Sequence, residues 1–348
     1  MFIGFGRSLA IALLLAGLVP AGAAAGPLAY VTNQGDDSVS VIDTGAAGGG
    51  LAVIETVKVG TKPAGIAVAP DGKRIYVSNP ESRNVSIIER DGGHHHVVKE
   101  IPVGQGPLGI ATDATGSRVF VADWYQDNVA VIDAGSLTVT GRITVGKSPS
   151  GLAVSPANDR LYVANRESDS VSVVDLAHLA VIGTIKVGEA PFGLTVDAAG
   201  GRVFVANVQS GDVSVIDTAS LTEIHRLKVR EFPYAVAVTE DGGRIFVTNQ
   251  HDNSVSVFDG KTYAPLKLIP VGEFPEGIFT HPDGKRVLVA SWFDDRLDVI
   301  DIAGLTVSGH VDTGRSPRAF GRFMATKFSS QGQLAGTKSD AKVPPLSP

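Results

Sequence analysis

The chain repeats one phrase seven times, and a repeat of that length leaves few folds open. The copies read YVTNQGDDSVSVID from Tyr30, IYVSNPESRNVSIIE from Ile75, VFVADWYQDNVAVID from Val119 and LYVANRESDSVSVVD from Leu161. They continue as VFVANVQSGDVSVID from Val203, IFVTNQHDNSVSVFD from Ile245 and VLVASWFDDRLDVID from Val287. The anchors Tyr30, Tyr76, Phe120, Tyr162, Phe204, Phe246 and Leu288 stand 46, 44 and then four times 42 residues apart. A period of about 40–45 residues carrying several short strands is the signature of a β-propeller.

A second phrase recurs between the copies, as KPAGIAVAPDGKR from Lys62, SPSGLAVSPANDR from Ser148 or FPEGIFTHPDGKR from Phe274. Each unit therefore divides into four strands: A (GIAV-like), B (YVSN-like), C (SVSVID-like) and D (ETVKV-like). Asp71-Gly72 and Asp283-Gly284 suit tight turns after strand A. Strands B and C are apolar or small on both faces, as a sheet covered on both sides requires. Small residues at Gly65, Gly109, Gly151, Gly193 and Gly277 mark A as the strand that crowds the axis. The chain starts on a B strand (28–33) and finishes on an A strand (317–324), so its two ends complement each other. The expected fold is all-β: a seven-bladed β-propeller of four-stranded blades over residues 26–328. Its ring is closed by the N-terminal B, C and D strands plus the C-terminal A strand, which hides exposed sheet edges.

Residues 1–25 combine Arg7, an apolar stretch from Leu9 to Val19 and a run of small residues. That reads as a secretory signal, too short for a convincing membrane span. Residues 329–348 are polar and Pro-ending, and are expected to be a disordered tail. There is no cysteine, which removes disulfides and c-type haem attachment together. The expected product is periplasmic or secreted and monomeric, with no transmembrane span once the signal is removed. A net charge of −6 argues against a general polyanion binder, and nucleic acid is not an expected partner.

The YVTN, YVSN and YVAN words, the SVSVID segments and the VGxxP links closely resemble the YVTN-repeat propellers. That family includes YncE-like periplasmic proteins and surface-layer-associated repeat proteins. The resemblance spans residues 28–328 and implies a seven-bladed propeller in an exported location. It implies little about activity, since relatives include lactonase-like enzymes, haem d1-type domains and non-enzymatic binders.

Function is expected where one unit departs from its siblings. Asn33, Asn79, Asn165, Asn207 and Asn249 recur so regularly that they read as scaffold bonded to nearby backbone, and the arginines before strand B read as architectural too. The departures gather on the ring end shared by the D–A links and B–C turns. They are Phe192, Tyr234, Glu276 and Arg318 after the recurrent proline, Arg230, Phe232 and Phe274 in the links, and Trp124, Tyr125, Arg166, Trp292 and Phe293 on the turns. Aromatics with an acid and arginines can grip a protein loop or a flat polar ligand. Replacing Glu276 and Tyr234 by alanine is then expected to abolish partner binding with stability nearly intact. His94, His95 and His96, expected in a longer C–D turn after Asp91-Gly92-Gly93, form the most metal-like run, a candidate for copper or zinc. Gly141–Ser148 meets P-loop spacing, but it is strand D followed by Pro149, without the helix a phosphate cradle needs. No G-x-S-x-G elbow or H-E-x-x-H occurs. The expected function is a non-enzymatic binding or scaffold protein facing an exported protein partner; the resemblance, through the systems in which such propellers are found, implies a redox or metal-handling setting. The alternative is a lactonase-like hydrolase with a metal or acidic site at the channel mouth; the resemblance to propeller lactonases, which use comparable positions, implies a metal held by Glu276 and the B-strand asparagines.

Overall fold

The computed structural model describes residues 27–45 and 50–325; the expected signal segment and C-terminal tail lie outside them. Six consecutive blades of four antiparallel strands occupy residues 65–102, 107–144, 149–186, 191–228, 233–270 and 275–312, here blades 1 to 6. Blade 7 takes Leu28–Asn33, Ser38–Asp43 and Ala52–Lys58 from the N-terminal end. One three-residue 3-10 turn, Arg166–Ser168, is the sole helical element among the described residues. Residues 138–144 are strand D of blade 2, and Pro149 opens the next strand A, so the P-loop spacing is incidental to the repeat.

Each repeated residue type has a mechanical task. The B-strand aromatics Tyr30, Tyr76, Phe120, Tyr162, Phe204 and Phe246 are buried, and each fills the seam toward the following blade. Tyr76 shares a cluster with Val119 and Val121, Phe120 with Leu161 and Val163, and Phe204 with Ile245 and Val247. Losing such a ring costs about 3–5 kcal/mol in a typical core. The arginines before strand B reach the next blade's C–D turn: Arg118 Nη1 donates to Leu176 O at 2.7 Å and Arg160 Nη1 to Thr218 O at 2.6 Å.

The recurrent asparagine braces the D–A link. Asn165 Nδ2 donates to Ser170 Oγ at 3.2 Å and Ser172 Oγ at 2.9 Å, while its Oδ1 accepts from Gly146 N at 3.1 Å. A Cβ on Gly146 would lie 2.6 Å from Asn165 Cγ, which explains the glycine of the VG link. Blade 6 exchanges the pair: Ser291 Oγ donates to Asp298 Oδ2 at 2.6 Å, and Asp298 Oδ2 accepts from Gly272 N at 2.9 Å. The chemistry survives the swap.

Closure joins the chain ends, with one irregularity. The final segment bridges Asn33 at Pro317 and Ala29 at Met324, and Arg318 N donates to Thr32 O at 2.9 Å. In a regular blade the residue four after the proline faces the B-strand aromatic, as Ala153 faces Tyr162. Here Phe323, six after the proline, stands opposite Tyr30, whose N–H donates to its carbonyl at 2.9 Å. Two extra residues are taken up by a bulge over Phe320–Arg322, which pairs in parallel with Gly65–Val68 of blade 1. The left-handed backbone of Ala319 (φ 49°) and Gly321 (φ 124°) makes the kink.

Candidate functional site

D–A links and B–C turns lie together at one end of the ring. Arg166 N donates to Ser148 O, Gln250 N to Phe232 O and Trp292 N to Phe274 O, each joining turn to link within a blade. The structure divides the expected binding patch on this end into a buried centre and an exposed rim.

The centre is a plug across the axis. Phe192 packs on Tyr234 (4.5 Å between centroids) and on Phe320 (5.0 Å), and Tyr234 meets Phe320 at 5.6 Å. Trp124 approaches Phe192 at 6.2 Å, and the Arg166 guanidinium lies over both rings. Beside them Arg318 Nε donates to Glu276 Oε2 at 2.6 Å, Arg318 Nη2 to the Tyr234 hydroxyl, and Gln250 Nε2 to Glu276 Oε1 at 2.9 Å. Phe192, Tyr234 and Glu276 are buried. Burial pushes the Tyr234 phenol up. Burial also works against the Arg318 charge, but Glu276 and Tyr234 outweigh it and keep the guanidinium firmly protonated. The expectation that Glu276 and Tyr234 can be cut away at little cost to stability is therefore corrected. An enclosed ion pair broken on one side leaves a stranded charge.

The rim is an aromatic strip on blades 5 and 6. Phe232 stacks on His251 at 3.8 Å, His251 meets Phe274 at 5.5 Å, and Phe274 meets Phe293 at 5.1 Å and Trp292 at 5.8 Å. Phe232 and Phe293 are exposed, at 38% and 59%. Phe232 and Phe274 hold left-handed backbone, φ 53° and 58°, where the sibling links place Lys62, Ser148, Ala190 and Ser316. A bulky residue in that region is uncommon. Tyr125, the most exposed aromatic here, stands apart on blade 2, and Arg230 is exposed in the link before Phe232.

The histidine run lies elsewhere. His94, His95 and His96 begin strand D of blade 1, where neighbours face opposite sides, so the three do not converge. His95 is buried against blade 7: its Nδ1 bonds Glu55 Oε2 at 2.6 Å and its Nε2 bonds the Tyr30 hydroxyl at 3.1 Å. Among the described residues, no group of three or more His, Asp or Glu is placed to hold a metal ion. Glu276 and the asparagines proposed as metal ligands are engaged with Arg318 and with the repeat serines.

Three residues escaped sequence reasoning. His251 sits in the middle of the strip, signalled only by its place on the same turn as the other departures. Phe320 and Arg322 sit in SPRAFGRFM, where siblings read PxGIAV-like; the large residues were the available signal.

Fold and repeat together define the class, a seven-bladed β-propeller. Residues 174–324 match the family model described as YNCE-like beta-propeller, and residues 22–106 match that described as Lactonase, 7-bladed beta-propeller. The YncE-like resemblance carried by the repeat words is thereby shown. Among solved structures, hydrazine synthase from Kuenenia stuttgartiensis aligns at 22% identity and TM-score 0.71, over 84% of this chain and 99% of that one. The periplasmic gluconolactonase of Pseudomonas aeruginosa aligns at 19% and 0.73, over 86% and 99%. A protein from Lactobacillus plantarum aligns at 19% and 0.74, over 84% and 97%. Likeness at these identities shows the fold. No curated protein matches the chain. Among the described residues, no helix is long and apolar enough to cross a membrane.

Proposed function

We propose that the protein is an exported, non-enzymatic binding protein that engages a protein partner through the Phe232–His251–Phe274–Phe293 strip. The observation that carries this reading is the run of stacked, partly exposed rings at one end of a rigid ring, two of them on backbone that disfavours bulky side chains. Aromatic clusters on fixed backbone are typical binding hot spots, because they give large contact area at low entropy cost. Export rests on the signal-like residues 1–25.

The test is retention of exported proteins from the native source on the immobilised propeller, compared with Phe232→Ser/Phe293→Ser. The double variant should lose the retained partner while melting as the wild type does, since both rings are exposed. Equal retention would remove the strip from consideration.

The second reading, a lactonase-like hydrolase, is favoured by the Lactonase match over residues 22–106. Metal-dependent turnover of glucono-1,5-lactone would establish it. Against it, Asp197 at the channel mouth is bound by Arg202, and His281 is buried in bonds to Thr44 and Arg286.

A further inference from the structure

The plug turns the central channel into a one-ended well. Phe320 forms its floor, the innermost strands form its wall, and it opens between the A–B turns at Pro70, Pro156 and Glu240. This mouth lies at the end of the ring opposite the aromatic strip. The cavity measures about 560 Å³, within the size range of small-molecule sites. Its wall is mostly apolar, with Ile110, Leu152, Val236 and Ile278 around the floor.

One cation lines this wall. Arg322 follows the bulge and pairs through its backbone with Ala67, two residues further from the plug than Phe320. It is open to the well, and among the described residues nothing hydrogen-bonds or ion-pairs with its guanidinium; enclosure alone acts on it and lowers its pKa. The other charged groups at the well are Asp197, already satisfied by Arg202, and Glu240 at the mouth. Arg322 is thus solvent-open within the well and has no counter-charge among the described residues, and the two-residue insertion that carries it pairs with blade 1 rather than within blade 7.

We propose that the well is a second binding site, taking a small apolar monocarboxylate whose carboxylate pairs with Arg322. A single planar guanidinium matches one carboxylate with two parallel hydrogen bonds. It leaves a dianionic phosphate under-compensated, and Glu240 at the mouth repels the excess charge. The closed floor limits length, and the aliphatic residues around it suit a hydrocarbon or aromatic body, with Thr112, Thr195 and Thr280 on the wall as further hydroxyl partners.

Benzoate, phenylacetate, benzamide and phenyl phosphate are the probes, titrated calorimetrically into the full propeller. Both carboxylates should bind saturably, and benzamide and phenyl phosphate at least about tenfold more weakly. Arg322→Met should weaken the carboxylates by at least about tenfold, and Arg322→Lys by less. Nuclear Overhauser contacts from the bound ring to Phe320 of the wild type should place it in the well, independently of how the variants fold. Absence of carboxylate binding at millimolar concentration, equal affinity in a folded Arg322→Met protein, or contacts to Phe293 instead of Phe320 would each overturn the proposal.

Discussion

Glu276 and Arg318 act as a unit with Tyr234 and Gln250, and the four side chains come from blades 5, 6 and 7. Their pairing is local electrostatics used as a joint between blades. Glu276→Gln keeps the shape but leaves Arg318 charged and enclosed, so it should destabilise by about 3 kcal/mol in urea unfolding. A change within about 0.5 kcal/mol would show that the pair is solvated and dispensable. The sequence marked these residues as departures from the repeat but could not say which way they faced. The same strand position is a buried Ser150 in blade 3 and a buried Glu276 in blade 6, and only the partner supplied by another blade decides whether a charge can be tolerated there.

At the scale of the strand, the seams on the two sides of blade 7 differ from the others. On one side His95 of blade 1 is bonded to Glu55 and Tyr30; on the other His281 of blade 6 is bonded to Thr44. Burial lowers the pKa of both, with Arg286 adding to the effect at His281, while Glu55 pulls His95 the other way and Arg90 and His94 push it further down. Burial also pushes the Tyr30 phenol up to about 12, so it stays neutral. The unfolded chain binds these protons more readily than the folded one. Stability is therefore complete above the ordinary histidine pKa near 6.5 and is lost as pH falls from there toward the depressed folded values. Melting temperature should fall between about pH 6.5 and 5, and His95→Gln should flatten part of that fall, His281 accounting for the rest. A flat profile in the wild type would refute the assignment. The blades themselves were legible because seven copies average out local ambiguity, as Tyr76, Phe120 and Phe204 all occupy one position. The histidine run misled because a turn was expected where strand D begins, and a strand separates what a turn could gather.

For the whole ring, blade 7 is the only one whose strands come from both chain ends. Its cluster joins Tyr30 and Val31 to Leu288 of blade 6, Ile75 of blade 1 and the C-terminal Phe323 and Met324. A chain ending at Arg315 loses the inner strand of that blade and bares the edge of strand B. It should unfold without a cooperative transition and aggregate. A soluble truncated protein with a sharp melt would contradict the closure described. The seven-fold ring was predictable from phase alone, since a first B strand and a last A strand can only meet. The plugged axis was not, because the insertion in the closing segment occurs once and has no sibling to interpret it.

That insertion has a thermodynamic corollary. Phe320 and Arg322 lie in the segment that closes the ring, so the well has neither base nor charge until the circle is shut. A guest held there recognises the finished molecule and none of its opened forms. By mass action its occupancy adds to the work needed to unzip the ring, so cargo and clasp reinforce one another.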